Sequence, residues 1–172
     1  DVDTYDLSAT SAAATVDLQA GTSTSAQTGS DSLTGIENVT GSSGNDHIQG
    51  DGVSNLLQGQ GGNDWMDGGS GDDTLVGGQG LDSLFGGLGN DTFQASVNDG
   101  NDSYDGGGDT DTYDLSGTSA NATVNLSTNS ASSSQTGSDT LISVENVIGS
   151  SGTNTLTGDN ANNALTGQGG ID

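Results

Sequence analysis

GSSGNDHIQ (41–49), GDGVSNLLQ (50–58), GQGGNDWMD (59–67), GGSGDDTLV (68–76), GGQGLDSLF (77–85) and GGLGNDTFQ (86–94) follow one another without one inserted or deleted residue. Glycine opens each unit, Asp or Asn holds its sixth place and a large apolar residue its eighth. A short fixed period of this kind belongs to a stacked repeat, in which no unit buries its apolar side alone. The last three residues of each unit read as a short strand whose middle side chain faces in and whose neighbours face out. Ile48, Leu57, Met66, Leu75, Leu84 and Phe93 are then the inward residues, one per unit. One unit makes half a coil, so two units close a turn of a flattened helix of parallel strands. The expected class is all-β, a β-solenoid with about 18 residues per coil.

The other six places carry the chemistry. Glycines reach positive φ without the penalty other residues meet, and a turn built from them points carbonyl oxygens inward. The sixth-place Asp adds a hard anionic oxygen on the shortest acidic side chain. Calcium takes six to eight such oxygens at about 2.3–2.6 Å in a tolerant geometry. Asn55 keeps an oxygen at its turn but loses the charge, so a weaker site is expected there.

The run resembles the RTX (hemolysin-type) calcium-binding nonapeptide repeats of secreted bacterial proteins. The resemblance implies a right-handed parallel β-roll with several Ca²⁺ ions, each held between turns of units n and n+2 on one edge. By position, one edge then uses Asp46, Asp64, Asp82 and Asp102, and the other Asn55, Asp73, Asp91 and Asp111. The turn glycines of those sites are Gly59, Gly61, Gly68, Gly69, Gly71, Gly77, Gly78, Gly80, Gly86, Gly87, Gly89, Gly106 and Gly107. The resemblance also implies export by type I secretion and an extracellular or cell-surface location.

Composition fits a chain that borrows its positive charge. It has 24 acidic residues, no Lys, no Arg and 27% hydrophobic residues, a balance that ordinarily keeps a chain unfolded. Metal ions supply the missing cations if folding and binding are one event. A solvated halophilic surface is the alternative, but 22 of the acids are Asp, the residue that ligation from a tight turn favours. Nucleic acid is excluded as a partner because its backbone demands Lys and Arg. There is no Cys for a disulfide or redox role. No stretch approaches the roughly 20 apolar residues of a membrane helix, no stretch reads as a signal peptide, and no helical period is found.

A longer repeat surrounds the run. Residues 1–64 align without gaps to residues 109–172, an offset of 108 or six 18-residue coils. DTYDLSATSAAATVDL (3–18) matches DTYDLSGTSANATVNL (111–126), and QTGSDSLTGIENVTGSSG (27–44) matches QTGSDTLISVENVIGSSG (135–152). The chain therefore divides into insert-type coils (1–40), the nonapeptide roll (41–114), a second insert (115–148) and degenerate nonapeptides (149–172). Segment 115–148 and the two extra residues Ala95–Ser96 total 36, the length of two coils. Ala14–Leu18 and Ala122–Leu126 alternate like strands, and in Gly29–Thr34 and Gly137–Ile142 the Gly, Asp and Leu fall on places four, six and eight. The Ser/Thr-rich stretches Ala20–Ala26 and Ser127–Ser134 read as loops bulging from the roll. Asn154 and Asn163 replace Asp at place six, and VNDGNDSYD (97–105) lacks both opening glycines, so calcium is expected to concentrate between Gly59 and Asp111. Both ends fall inside nonapeptides, and the array is expected to continue into further repeats.

No catalytic site is expected. The single histidine, His47, lies at an outward strand place, and almost every Asp is already explained by a turn. One row stands apart: residues 18 apart stack about 4.8 Å from each other, which puts His47 and Trp65 together, with Phe85 on the next coil. This candidate ligand patch suits sugar rings, so a polysaccharide or cell-surface partner is expected beside calcium. The function expected is a calcium-binding structural or adhesive segment of a large secreted or surface protein. An accessory module of a secreted enzyme (polysaccharide-modifying enzyme, protease or lipase) is the alternative.

Overall fold

The nonapeptide period becomes two sheets that face each other across one ladder of apolar side chains, in a computed structural model describing residues 1–172. Five strands precede the nonapeptides: β1 (Thr4–Asp6), β2 (Ala14–Asp17), β3 (Thr22–Ser25), β4 (Gly29–Ser32) and β5 (Asn38–Thr40). The six-unit run supplies β6 (His47–Gln49), β7 (Leu56–Gly61), β8 (Trp65–Ser70), β9 (Thr74–Gln79), β10 (Ser83–Leu88) and β11 (Thr92–Gln94). Then come β12 (Ser103–Gly108), β13 (Thr112–Asp114), β14 (Ala122–Asn125), β15 (Ser130–Ser133), β16 (Gly137–Ile142) and β17 (Asn146–Ile148). The chain ends with β18 (Asn154–Thr157) and β19 (Ala164–Thr166), and its one helical element is a 3-10 turn at Leu126–Thr128.

The first sheet holds eight strands in the order β1-β5-β7-β9-β11-β13-β17-β19, all parallel. The second holds eleven, β18-β14-β15-β16-β12-β10-β8-β6-β2-β3-β4. Through the nonapeptides successive strands are in register at 18 residues: Leu57 lies opposite Leu75, and Met66 opposite Ile48 and Leu84. Ile48, Leu57, Met66, Leu75, Leu84 and Phe93 have no exposed surface, and Tyr104 and Tyr113 continue the ladder. The fold is an all-β roll of parallel coils, as the period dictates.

Two details differ from the three-residue strand read from sequence. β7, β8, β9, β10 and β12 each run six residues, because pairing continues into the next unit's glycines, as where Gly69 lies opposite Gly87. Within the nonapeptides positive φ falls at places two and four, as at Gly69 and Gly71, and Gln60, Asn98, Asp109 and Gln168 adopt it there without being glycine.

The inserts correct the reading more substantially. Thr22–Ser25 and Ser130–Ser133 are strands, not loops: β2-β3-β4 and β14-β15-β16 are antiparallel meanders lying in the eleven-stranded sheet. Alternation explains why. In β15 Ala131 is buried while its neighbours Ser130 and Ser132 are exposed, so a Ser-rich strand still offers one inward methyl. Segment 115–148 closes one thickened coil rather than contributing to two, since β13 and β17 are direct neighbours.

Candidate metal centre

Every sixth-place residue between Asp46 and Asp111 is buried, at 4% exposure or less. The roll holds each by a ladder along its edge. Asp46 N–H donates to Asp64 Oδ1, Asp64 N–H to Asp82 Oδ1 and Asp82 N–H to Asp102 Oδ1, each at 2.8 Å. On the opposite edge the N–H groups of Asn55, Asp73 and Asp91 donate to Asp73, Asp91 and Asp111 at 2.7–2.8 Å. One carboxylate oxygen therefore joins each coil to the next.

The second oxygen separates these residues into two kinds. Oδ2 of Asp64, Asp73, Asp82, Asp91 and Asp111 is buried and meets no donor. Leaving such an oxygen unpaired costs more than an ordinary hydrogen bond returns, so five in register mark places built for something else. Elsewhere the oxygen is taken. Asp46 Oδ2 accepts from Ser42 N–H at 2.6 Å, and Asp102 Oδ2 lies 3.2 Å from the Tyr104 hydroxyl. Asn55 Oδ1 accepts from Asp51 N–H while its amide donates to the Glu37 carbonyl.

The place-one glycines complete the cradle. A Cβ on Gly68 would meet Asp73 Oδ2 and lie 2.7 Å from the Gly86 carbonyl oxygen; on Gly86 it would meet Asp91 Oδ2 and lie 2.8 Å from the Gly106 oxygen. Gly59 and Gly77 face Asp64 and Asp82 Oδ2 in the same way. Glycine is required there for close approach to a carboxylate, whereas Gly69, Gly71, Gly78, Gly80, Gly87, Gly89 and Gly107 combine the positive φ of the turn with a close approach to the backbone of the preceding coil. Gly61 does neither, with nothing nearer its Cβ position than 3.9 Å.

Electrostatics agree with the geometry. Burial pushes the carboxyls of Asp64, Asp73, Asp82 and Asp111 up to about 7 and that of Asp91 upward; the N–H donors oppose this and neighbouring carboxylates add to it. A buried anion without a cation is penalised in this way. No three His, Cys, Asp or Glu side chains converge on one point, so an ion here would draw most ligands from carbonyls. Hard oxygens of this mixture suit calcium, and the residues present fit it.

A group that the sequence analysis placed in phase but did not count among the candidate ligands lies at the second insert. Asp139 Oδ1 accepts from Asp102 N–H at 3.1 Å, extending the first ladder, and its Oδ2 accepts from the Tyr113 hydroxyl at 2.7 Å. Asp99 takes Ser96 N–H and hydroxyl, with the Tyr104 hydroxyl 3.4 Å away. Tyrosine and serine hydroxyls here occupy the oxygens that stay free further along. Asp139 was findable, since it falls on place six of its own unit.

In the degenerate block Asn154 Oδ1 accepts from Ser150, while its amide donates to the carbonyls of Ser150, Gly152 and Gly167. Asn163 accepts from Asp159 N–H and donates to the Glu145 carbonyl.

On the outer face of the eleven-stranded sheet, the His47 and Trp65 rings lie against each other, tilted by 49°, with centroids 4.2 Å apart, and Trp65 and Phe85 are tilted by 40° with centroids 5.5 Å apart. Trp65 is half-buried between its two neighbours rather than fully exposed.

Four copies of the family described as the RTX calcium-binding nonapeptide repeat match the chain, at residues 31–52, 40–75, 58–93 and 144–172. A comparison with curated proteins found no significant match.

Proposed function

The chain belongs to the RTX calcium-binding nonapeptide repeat family, and from that premise we propose that it is a structural or adhesive segment of a large secreted or surface protein, folded by extracellular calcium. The observation that carries this reading is the set of five buried, unpartnered carboxylate oxygens, each set against a place-one glycine. Without cations the roll concentrates uncompensated charge in its interior, and the chain has no Lys or Arg to offset it. Extracellular modules bind calcium at about 10⁻⁴–10⁻³ M. A chain unfolded below that range and folded above it stays threadable until it leaves the cell.

Far-UV circular dichroism during calcium titration tests this, repeated with magnesium and with NaCl. A strand spectrum is expected with calcium alone, because magnesium demands stricter octahedral geometry and sheds water reluctantly. A full strand spectrum in chelator, or one produced equally by NaCl, would overturn it.

The aromatic row favours a second reading, an accessory module that retains a secreted enzyme on polysaccharide. His47, Trp65 and Phe85 make a continuous outer strip in a chain only 3% aromatic. Trp65→Ala should abolish retention on acidic polysaccharide in calcium, and unchanged retention would sink this reading.

A further inference from the structure

One unpartnered oxygen differs from the other four in what lies across from it. Asp111 has no exposed surface and its Oδ2 meets no donor, but the coil that follows it is the insert rather than another nonapeptide. Between Ile142, at place nine of its unit, and the place-six position at residue 145 stand only Ser143 and Val144, where a nonapeptide has five residues.

The short turn reproduces the cradle with different parts. A Cβ on Gly106 would meet Asp111 Oδ2 and the Ser143 carbonyl oxygen, as one on Gly86 meets Asp91 Oδ2 and the Gly106 oxygen. Ser143 holds a left-handed φ of 50°, unusual for a residue with a side chain. Glu145 Oε2 accepts the Asp111 N–H at 2.9 Å, the role that Asp111 Oδ1 plays for Asp91. Glutamate's extra methylene gives reach where the backbone has been cut short.

Resting on the calcium reading above, we infer that Glu145 and the Ser143 carbonyl join Asp111 in a further divalent-cation site, which clamps the second insert to the nonapeptide roll. The coil beyond it is closed without metal, since Asn163 donates its amide to the Glu145 carbonyl at 3.0 Å. The ion column on this edge thus ends at Glu145. The first repeat has the same glutamate contact, Asp3 N–H to Glu37 Oε2 at 2.9 Å, but there Asp3 is exposed and no buried oxygen is left free.

Calorimetric calcium titration of the whole chain tests the assignment. Glu145→Gln keeps an acceptor for the Asp111 N–H but loses the charge, and is expected to bind one ion fewer than the parent. Asp111→Asn should lose the same ion, and the double variant no more than either single one, since both serve one site. Glu37→Gln should bind as the parent does. Glu145→Asp, which keeps charge and fold, should weaken one site by about tenfold or more, because ligand placement sets affinity.

Parental uptake by Glu145→Gln or Glu145→Asp would overturn the inference and leave the calcium reading standing, as would loss of two ions by the double variant. A parent chain that takes up no calcium at millimolar concentration would sink the calcium reading itself.

Discussion

Asp64 and Asp82 are joined across two coils by a single hydrogen bond, from the Asp64 N–H to Asp82 Oδ1 at 2.8 Å, while Asp82 Oδ2, on the same carboxylate, is buried without a partner. One oxygen joins neighbouring coils in register, and the other is buried without a donor, free for the cation we propose. A substitution can therefore separate the two duties.

Asp82→Asn retains the oxygen that accepts from Asp64 and removes the charge. Calorimetry should show one ion fewer, with the strand spectrum at saturating calcium preserved. Asp102→Asn is the control, since its second oxygen already faces the Tyr104 hydroxyl, 3.2 Å away, which can accept from an amide. An equal loss in both variants would contradict the division between free and occupied oxygens.

Two glycine substitutions on neighbouring turns should differ sharply. Gly68→Ala drives a methyl against Asp73 Oδ2 and the Gly86 carbonyl, and should raise the calcium midpoint and lower Tm. Gly61→Ala meets nothing nearer than 3.9 Å and should change stability by no more than about 0.5 kcal/mol. Thermal melts in fixed calcium read both.

Acid should replace calcium in part. Burial raises the folded carboxyls of Asp64, Asp73, Asp82 and Asp111 from 3.8 to about 7. A raised carboxyl favours the metal-free fold fully below its unfolded value near 3.8, and that contribution is lost as pH rises through about 7. In chelator, the strand signal should grow as pH falls from 8 to 4. With calcium the sign reverses, because protons compete for the same oxygens and the calcium midpoint should rise between pH 8 and 6. A pH-independent midpoint would refute the assignment of these buried groups as ligands.

The apolar ladder should be costly to interrupt. Leu75 is fully buried between Leu57 and Phe93, so Leu75→Ala should destabilise the calcium-bound roll by about 2–5 kcal/mol in denaturant titration.

Much of this molecule could be read from residue types because the period tied each place to one duty. The inward row from Ile48 to Phe93 and the 18-residue register follow from alternation alone. The inserts were less legible. Ser and Thr at 22–25 and 130–133 carry turn propensity, which tertiary pairing with β2 and β14 overrode. The glycine rule was legible only in outline, since positive φ belongs to places two and four while place one needs glycine for clearance from a carboxylate. The Glu145 contact with the Asp111 N–H escaped notice because its turn is shorter than a nonapeptide turn, so the nonapeptide spacing is absent. The tyrosine hydroxyls that satisfy Asp102 and Asp139 come from core places, where spacing says nothing about a polar tip.

The unequal sheets bear on the form of the whole roll. Each insert lays three strands on one face where a nonapeptide coil lays one, while the opposite face advances by a single strand. Two additional strand spacings lengthen that face by about 10 Å. Facing walls of different length, joined at every turn, describe an arc. The roll is expected to curve toward its eight-stranded side at each insert, with the 108-residue spacing between inserts setting where such bends fall.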